Sequence, residues 1–392
     1  MSDSPDALRE HLALALVPGL GPKLTAALLA RFGSPTAARR ATAAELRTIP
    51  HIGDKLAAQL VAAFREVNVA EELNLLARHD ARAVPLGFAE YPAPLAAVPA
   101  PPPLLYVRGT YTAADAKAIG IVGTRNPTAY GKRVAEALAR ELARAGFTVV
   151  SGLARGIDGV AHRAALDAGG RTIACLAGGL SGIYPPEHKD LANDVARNGC
   201  LVSETPMGMS PQPGMFPARN RVISGLSRGI IVVEADIKSG ALITATHAAE
   251  QGREVFAVPG PTDSRMSAGC LDLIRKGARL IRSAADVIED LKGIATPEYG
   301  PAKPKTKSPL TLFDDAPEVD STEPPLPAPE PPATPQLEGT QARVYDALAS
   351  KRHADELVRE LELAPGDVSR TLMQLELKRL IRRLPGNYYE RR

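Results

Sequence analysis

The sequence predicts an α/β protein with a doubly wound parallel sheet at its centre, a helical domain before it and a winged helix after it. Short apolar runs alternate with amphipathic stretches from Lys117 to Leu291. Strand, turn and helix repeated in that order build a parallel sheet with right-handed crossovers and helices on both faces. The composition also shifts on either side, to an Ala/Leu-rich segment before residue 81 and a proline-dense one after residue 296. A chain of 392 residues is too long for one ordinary core, and two to four domains are expected. The boundaries fall at 1–81 for the helical domain, 82–116 for an extended strap, 117–292 for the sheet domain, 293–336 for a linker and 337–392 for the last module.

The first segment, Asp6 to Ala81, carries apolar residues at helical spacing. Two turns punctuate it, Val17-Pro18-Gly19-Leu20-Gly21-Pro22 and Ile49-Pro50-His51-Ile52-Gly53-Asp54, each followed by an Ala/Leu-rich helix. The pattern resembles a tandem helix-hairpin-helix, or SAM-like, domain, in which a Pro-Gly-Ile-Gly turn aims backbone N–H groups of the next helix at a phosphate. The second copy departs from it, because His51 replaces the first glycine and puts a Cβ where a phosphate would approach. Lys23 and Lys55 are placed to support a backbone contact, and a purely structural hairpin pair explains the same residues equally well. From Val84 to Gly109 the chain is rich in proline, which suits edges and connections.

In the central segment the strands are read as Ala118 to Val122, Phe147 to Val150, Thr172 to Leu176, Cys200 to Ser203, Gly229 to Glu234 and Glu254 to Val258. The arrangement is Rossmann-like. In such open sheets ligands sit beyond the carboxyl ends of the strands. The loops there carry the candidate residues: Gly123, Thr124 and Arg125; Ser151, Gly152 and Arg155; Gly178 and Gly179; Phe216, Arg219, Asn220 and Arg221; and Lys238, Ser239 and Gly240. Glycine lets a backbone approach a ligand, and free N–H groups at a helix start favour an anion. For one loop a tight turn explains the glycine; four such loops on one edge favour a phosphate-bearing ligand. No loop carries the Gly-x-Gly-x-x-Gly or Walker A pattern, which disfavours a bound dinucleotide and ATP hydrolysis. Arg219 and Arg221, two apart on a helix, point in different directions, so one can face a ligand while the other ties a neighbouring loop.

Little else carries chemistry. His162 is a base or a packed histidine, Asp158 is expected to cap the helix after it, and His247 to pack among alanines. Glu204 and Glu234 end strands without a spacing that pairs them as acid and base. No metal site, cofactor or catalytic residue is expected. Cys175, Cys200 and Cys270 are isolated, which fits buried thiols in a reducing compartment, and the apolar run Leu12 to Val17 is too short to span a membrane. A cytoplasmic protein is expected. The formal charge of +3 requires any basic surface to be local.

Taken in order, Ile121-Val-Gly-Thr-Arg125, Tyr130-Gly131, Val150-Ser-Gly-Leu-Ala-Arg-Gly-Ile-Asp158, Ala161-His162, Tyr184-Pro185, Ser203-Glu204, Phe216-Pro-Ala-Arg-Asn-Arg221, Lys238-Ser-Gly240 and Val258-Pro-Gly260 resemble the DprA/Smf family of DNA-processing proteins. One departure is Thr124, where the family has serine; the hydroxyl is kept. The resemblance implies single-stranded DNA binding, dimerisation through the Rossmann-like domain, loading of RecA recombinase during natural transformation, and no catalysis. Under it Thr124, Arg125, Arg219 and Lys238 hold phosphates and Phe216 offers a stacking face, with a core phenylalanine as the other reading. The competing class is a nucleoside-monophosphate phosphoribohydrolase of the LOG type, which resembles the same Rossmann variant. Those enzymes carry Pro-Gly-Gly-x-Gly-Thr-x-x-Glu where this chain has Glu234-Ala-Asp-Ile-Lys-Ser-Gly240.

Proline recurs from Pro297 to Pro335, which is expected to be an extended tether. Three short helices, Gln341 to Ala349, Asp355 to Leu361 and Asp367 to Leu380, then precede a β-ribbon turning at Pro385-Gly386-Asn387, the order of a winged helix. Its Arg370, Lys378, Arg379, Arg382 and Arg383 are candidates for duplex DNA; the module serves equally as a protein contact.

Overall fold

A computed structural model describes residues 4–292 and, towards the carboxyl end, 340–348, 352–361, 363–364, 367–368, 371–372, 375, 381–384 and 388–391. The expected linker and the side chains of Arg370, Lys378, Arg379, Arg382 and Arg383 lie outside the described residues. The chain divides into two compact units, the first ending at Asp315.

The first unit opens with six helices: α1 (Pro5–Ala15), α2 (Pro22–Phe32), α3 (Pro35–Arg40), α4 (Ala43–Leu46), α5 (Asp54–Glu66) and α6 (Val69–Arg78). The two hairpin turns share one backbone shape. Gly19 has φ +81°, and His51 adopts the same left-handed conformation at φ 70°, which an L side chain tolerates only with strain. These helices enclose their own core of Leu14, Leu28, Leu46, Ile52, Leu60 and Phe64. They are also fastened to the sheet: Leu12 and Leu76 join a cluster with Leu104, Tyr106 and Leu201, and the buried Glu72 accepts a hydrogen bond from the Met207 N–H at 2.7 Å.

The sheet has nine strands: β1 (Ala81–Pro85), β2 (Leu104–Gly109), β3 (Ala118–Val122), β4 (Thr148–Ser151), β5 (Thr172–Cys175), β6 (Gly199–Ser203), β7 (Gly229–Val232), β8 (Glu254–Ala257) and β9 (Arg279–Leu280). Their order is β1-β2-β6-β5-β4-β3-β7-β8-β9. From β6 to β9 the pairs are parallel, while β1 and β2 add on antiparallel. The expected strap is therefore part of the sheet, which begins at Ala81 rather than at residue 117, and the short α7 (Ala93–Ala96) lies between its two strands. The strand β9 was not anticipated; two residues carry no readable alternation.

The remaining helices of this unit are α8 (Ala129–Arg144), α9 (Ile157–Asp167), α10 (Lys189–Arg197), α11 (Met215–Leu226), α12 (Gly240–Glu250), α13 (Ala268–Arg275) and α14 (Ala284–Lys292). Alternation along the strands sorts them onto two faces. Ile119, Ile121, Ile231 and Val233 pack with Leu138, Leu142, Ala161 and Val287 of α8, α9 and α14. Ala118, Val122, Ile230 and Val232 pack with Ile223, Leu226, Ala241, Ala245 and Cys270 of α11, α12 and α13. The chain winds outward from β3 through β4, β5 and β6, then returns to β7 on the other side of β3. That reversal opens a crevice beyond the carboxyl ends of β3 and β7, the usual ligand position in open α/β sheets.

The second unit contains α15 (Thr340–Ala347), β10 (Arg352–His353), α16 (Ala354–Leu361), β11 (Ile381–Leu384) and β12 (Tyr388–Arg391). Asp367, Val368, Thr371, Leu372 and Leu375 are helical, and the strands pair in the order β10-β12-β11. Val344, Leu357, Leu372, Ile381 and Tyr389 form its core, as expected for a winged helix.

Candidate nucleic-acid interface

A cleft of about 500 Å³ occupies the crevice at the strand reversal. Three of the segments that line it carry most of the candidate residues: Thr124 and Arg125 after β3, Phe216, Arg219 and Asn220 at the start of α11, and Lys238, Ser239 and Gly240 at the start of α12. Ala154 and Asp158 after β4 and Met266 complete the wall. The β3 loop is held by a carboxylate just beyond the neighbouring strand β7. The buried Glu234 accepts from the Thr128 N–H at 2.9 Å and the Thr128 hydroxyl at 2.5 Å, while its carbonyl accepts from the Thr124 N–H at 2.7 Å. A Cβ on Gly131 would fall 2.2 Å from that carboxylate, so only glycine fits the next turn. The loop therefore presents the exposed Arg125 from a fixed base, with its guanidinium 5.2 Å from the centre of the half-buried Phe216 ring. The α12 start is capped by Ser239, whose Oγ accepts from the Ala241 N–H at 3.3 Å, and Asn220 donates to the Gly240 carbonyl at 3.2 Å. Lys238 is exposed beside it.

Several expected site residues serve the frame instead. Arg219 is only 6% exposed and donates to the carbonyls of Gly152 and Cys175. Its partner in charge is Asp158. Burial lowers the Arg219 pKa and raises that of Asp158, and each charge opposes the other's shift. Arg219 is thus the floor of the cleft rather than an open phosphate contact. Asp158 does not cap its own helix; it accepts from the N–H groups of Gly152 at 3.1 Å and Ala154 at 3.3 Å, and Gly156 takes the cap position. Ser151 is fully buried and donates to the Ile121 carbonyl at 2.7 Å. The glycines of these loops are needed for packing. A Cβ would lie 2.6 Å from Arg219 at Gly152, 2.7 Å from Ile157 at Gly123, 2.8 Å from Pro211 at Gly178 and 2.1 Å from the Pro206 carbonyl at Gly179. Gly240 alone among the glycines of the candidate set meets nothing within 4 Å. Arg221 points away from Arg219, pairs with Glu204 and donates to the Ala100 carbonyl at 2.8 Å, tying α11 to the loop between β1 and β2.

The remaining titratable candidates are also structural. His247 is half-buried, not packed away, and lies 3.2 Å from Glu250. His162 is fully buried with Nδ1 2.7 Å from the Thr172 hydroxyl. Burial above all, then the nearby charges of His188 and Arg219, lowers its pKa from 6.5 to about 3. The unfolded chain takes up a proton near pH 6.5 that the folded chain refuses, so this contribution to stability is intact above pH 6.5 and falls as pH drops towards 3. At about 1.4 kcal/mol per pH unit, moving from pH 7.5 to pH 5 should cost about 2 kcal/mol through His162. Urea unfolding at both pH values should therefore show a His162→Gln variant losing about 2 kcal/mol less than the parent chain; equal losses would mean His162 is charged in the fold.

The sequence reading missed Tyr184. It is 44% exposed on the loop after β5, with its ring 6.1 Å from that of Phe216. Arg155, expected at the site, stands 5.9 Å from the Tyr184 ring, but its charge is taken up by Glu187 at 2.5 Å. The signal in the sequence was the Tyr184-Pro185 motif, to which no role was attached. Cys175, Cys200 and Cys270 are buried free thiols. Among the described residues no group of three or more His, Cys, Asp or Glu is placed to hold a metal, and no helix is long and apolar enough to cross a membrane.

A crevice with cations and an aromatic face on three loops, its carboxylates engaged by backbone or arginine, suits a chain of phosphates and bases. Comparison with known proteins gives the class. Residues 83–292 match the family of DNA recombination-mediator protein A, residues 328–387 the DprA winged helix domain and residues 12–66 the SAM-like helix-hairpin-helix tandem. Protein Smf of Synechocystis is 40% identical over 317 residues, covering 77% of this chain and 78% of its own. DNA processing protein DprA of Bacillus subtilis is 50% identical over 209 residues, covering 53% of this chain and 70% of its own. The X-ray structure of DNA processing protein A from Streptococcus pneumoniae superposes with a TM-score of 0.64 at 31% identity, over 74% of this chain and 99% of that one. The three modules are those of a DNA-processing protein. This chain belongs to the DNA recombination-mediator protein A family, the DprA/Smf proteins.

Proposed function

We propose that this protein binds single-stranded DNA in the cleft at the strand reversal and, without catalysing a reaction, protects incoming DNA and loads RecA recombinase onto it during natural transformation. The observation that carries the reading is the meeting of Arg125, Phe216 and Lys238, from three separate loops, on one cleft. Arg125 and Lys238 supply charge for phosphates, and the Phe216 face stacks an unpaired base. Such a site binds single strands with little sequence preference, because every base has a π-face. A duplex keeps its bases stacked inside and cannot use Phe216. Dimerisation is proposed through the Rossmann-like domain, where β9 is the last strand of the sheet among the described residues and Leu280 is 48% exposed. The winged helix is proposed as a contact for duplex DNA or for a protein partner.

The test compares matched single and double strands across a salt series. The single strand should bind more tightly, with a log–log salt slope of about −0.7 for each phosphate neutralised. Equal affinity for the two forms, or a salt-insensitive single-strand affinity, would contradict the reading.

A further inference from the structure

The cleft does not end at Phe216. Four side chains form a row that runs on from it, two adjacent rings flanked by two cations: Arg125 over Phe216 at 5.2 Å, Phe216 beside Tyr184 at 6.1 Å, and Arg155 over Tyr184 at 5.9 Å. The row is built from four different segments, the loops after β3, β4 and β5 and the start of α11. The two rings meet edge to face, with 66° between their planes. Rings at that angle cannot sandwich one flat base, because both faces of a base would need parallel partners. A base stacked on one ring therefore cannot also stack on the other, and Tyr184 is 44% exposed.

We propose that Tyr184 is a second base-stacking position, so that the single strand crosses two neighbouring aromatic faces and leaves the cleft past Arg155. The proposal rests on the reading of the cleft as a single-strand site. In the free protein Arg155 is paired with Glu187, both side chains about half exposed. An exposed pair of this kind is held weakly and exchanges readily for another anion. A backbone phosphate arriving at Tyr184 takes the place of Glu187 on the Arg155 guanidinium, in the planar two-point geometry that arginine offers to phosphate. Glu187 then acts as a built-in competitor that lowers the affinity of this end of the path.

The full-length protein is irradiated with thymidine oligonucleotides carrying 5-iododeoxyuridine at successive positions, and the linked peptides are identified by mass. Crosslinks are expected at both Phe216 and Tyr184, from neighbouring nucleotides. Crosslinks at Phe216 with none at Tyr184 overturn the proposal and leave the cleft site standing; crosslinks at neither overturn the cleft site itself. Affinities separate stacking from propping. Tyr184→Ala should weaken single-strand binding by roughly five- to a hundredfold with an unchanged salt slope, and Tyr184→Phe should restore it. Tyr184→Leu fills the space beside Phe216 without a π-face; if it binds as the parent does, Tyr184 is only a support for Phe216. Glu187→Gln should bind more tightly with a steeper salt slope, and an unchanged slope would remove Arg155 from the path.

Discussion

Replacing Arg125 or Lys238 by alanine should weaken single-strand binding by roughly tenfold or more in each case, with the melting temperature unchanged. A hydrogen bond to a charged group contributes about 1.5–3 kcal/mol, and about 1.4 kcal/mol is a factor of ten in affinity. Both side chains are exposed at the mouth of the cleft, and the loops beneath them are held by other groups: Glu234 fixes the β3 loop, and Ser239 caps α12. Truncation therefore removes a ligand contact and no framework bond. The salt slope should become shallower, since one fewer counterion is released. Phe216→Ala should also weaken binding, but with the slope kept, because stacking releases no counterion. Fluorescence anisotropy at several salt concentrations distinguishes the two kinds of loss.

Arg221→Ala should do the opposite, with a large loss of stability and a small effect on affinity per folded molecule. Arg221 and Glu204 are 16% and 18% exposed at the side chain, and burial pushes the Glu204 carboxyl above its ordinary value against the pull of Arg221. Taking away the arginine strands a mostly buried carboxylate and frees the Ala100 carbonyl that anchors the loop between β1 and β2. Breaking a buried pair from one side costs about 3–5 kcal/mol, which for a unit of this size is a fall of roughly 5–8 °C in melting temperature. Adding Glu204→Gln to Arg221→Ala should recover part of it, because the stranded charge is gone. Calorimetry on the single and double variants checks both statements.

The contrast between these arginines shows what a sequence can and cannot tell. The alternation of strands and helices, the three modules and the edge on which the loops gather all followed from periodicity and turn residues. So did the split between Arg219 and Arg221, since two positions on a helix that are two apart point in different directions. That Arg219, expected to hold a phosphate, is itself spent on the frame did not follow. Arg219 turns inward because Asp158 lies beneath it and two strand-end carbonyls need donors, a fact set by the packing of β4, β5 and α11 together. The loop glycines read as openings for a ligand, yet most are there because side chains and carbonyls of other loops fill the space a Cβ would take. Ser151 looked like a ligand hydroxyl and is spent on a carbonyl of the neighbouring strand. Tyr184 was passed over because it stands 32 residues before Phe216 in the chain; only folding brings the rings together. The segment at 82–116 looked like a connection because it is rich in proline, while β1 takes the antiparallel edge position, where Pro85 at its end is tolerated, and the proline-free β2 pairs on both sides.

Amide hydrogen exchange of the full-length protein, with and without a thymidine oligonucleotide, tests the central claim most directly. Binding at the strand reversal should slow exchange in the loop after β3 around Thr124 and Arg125, at the start of α11 around Phe216, and at the start of α12 around Lys238 to Gly240. The helical segment 12–66 and the winged helix should exchange as before. Protection confined to those two flanking modules, with the three loops unchanged, would contradict it and move the single-strand site away from the sheet.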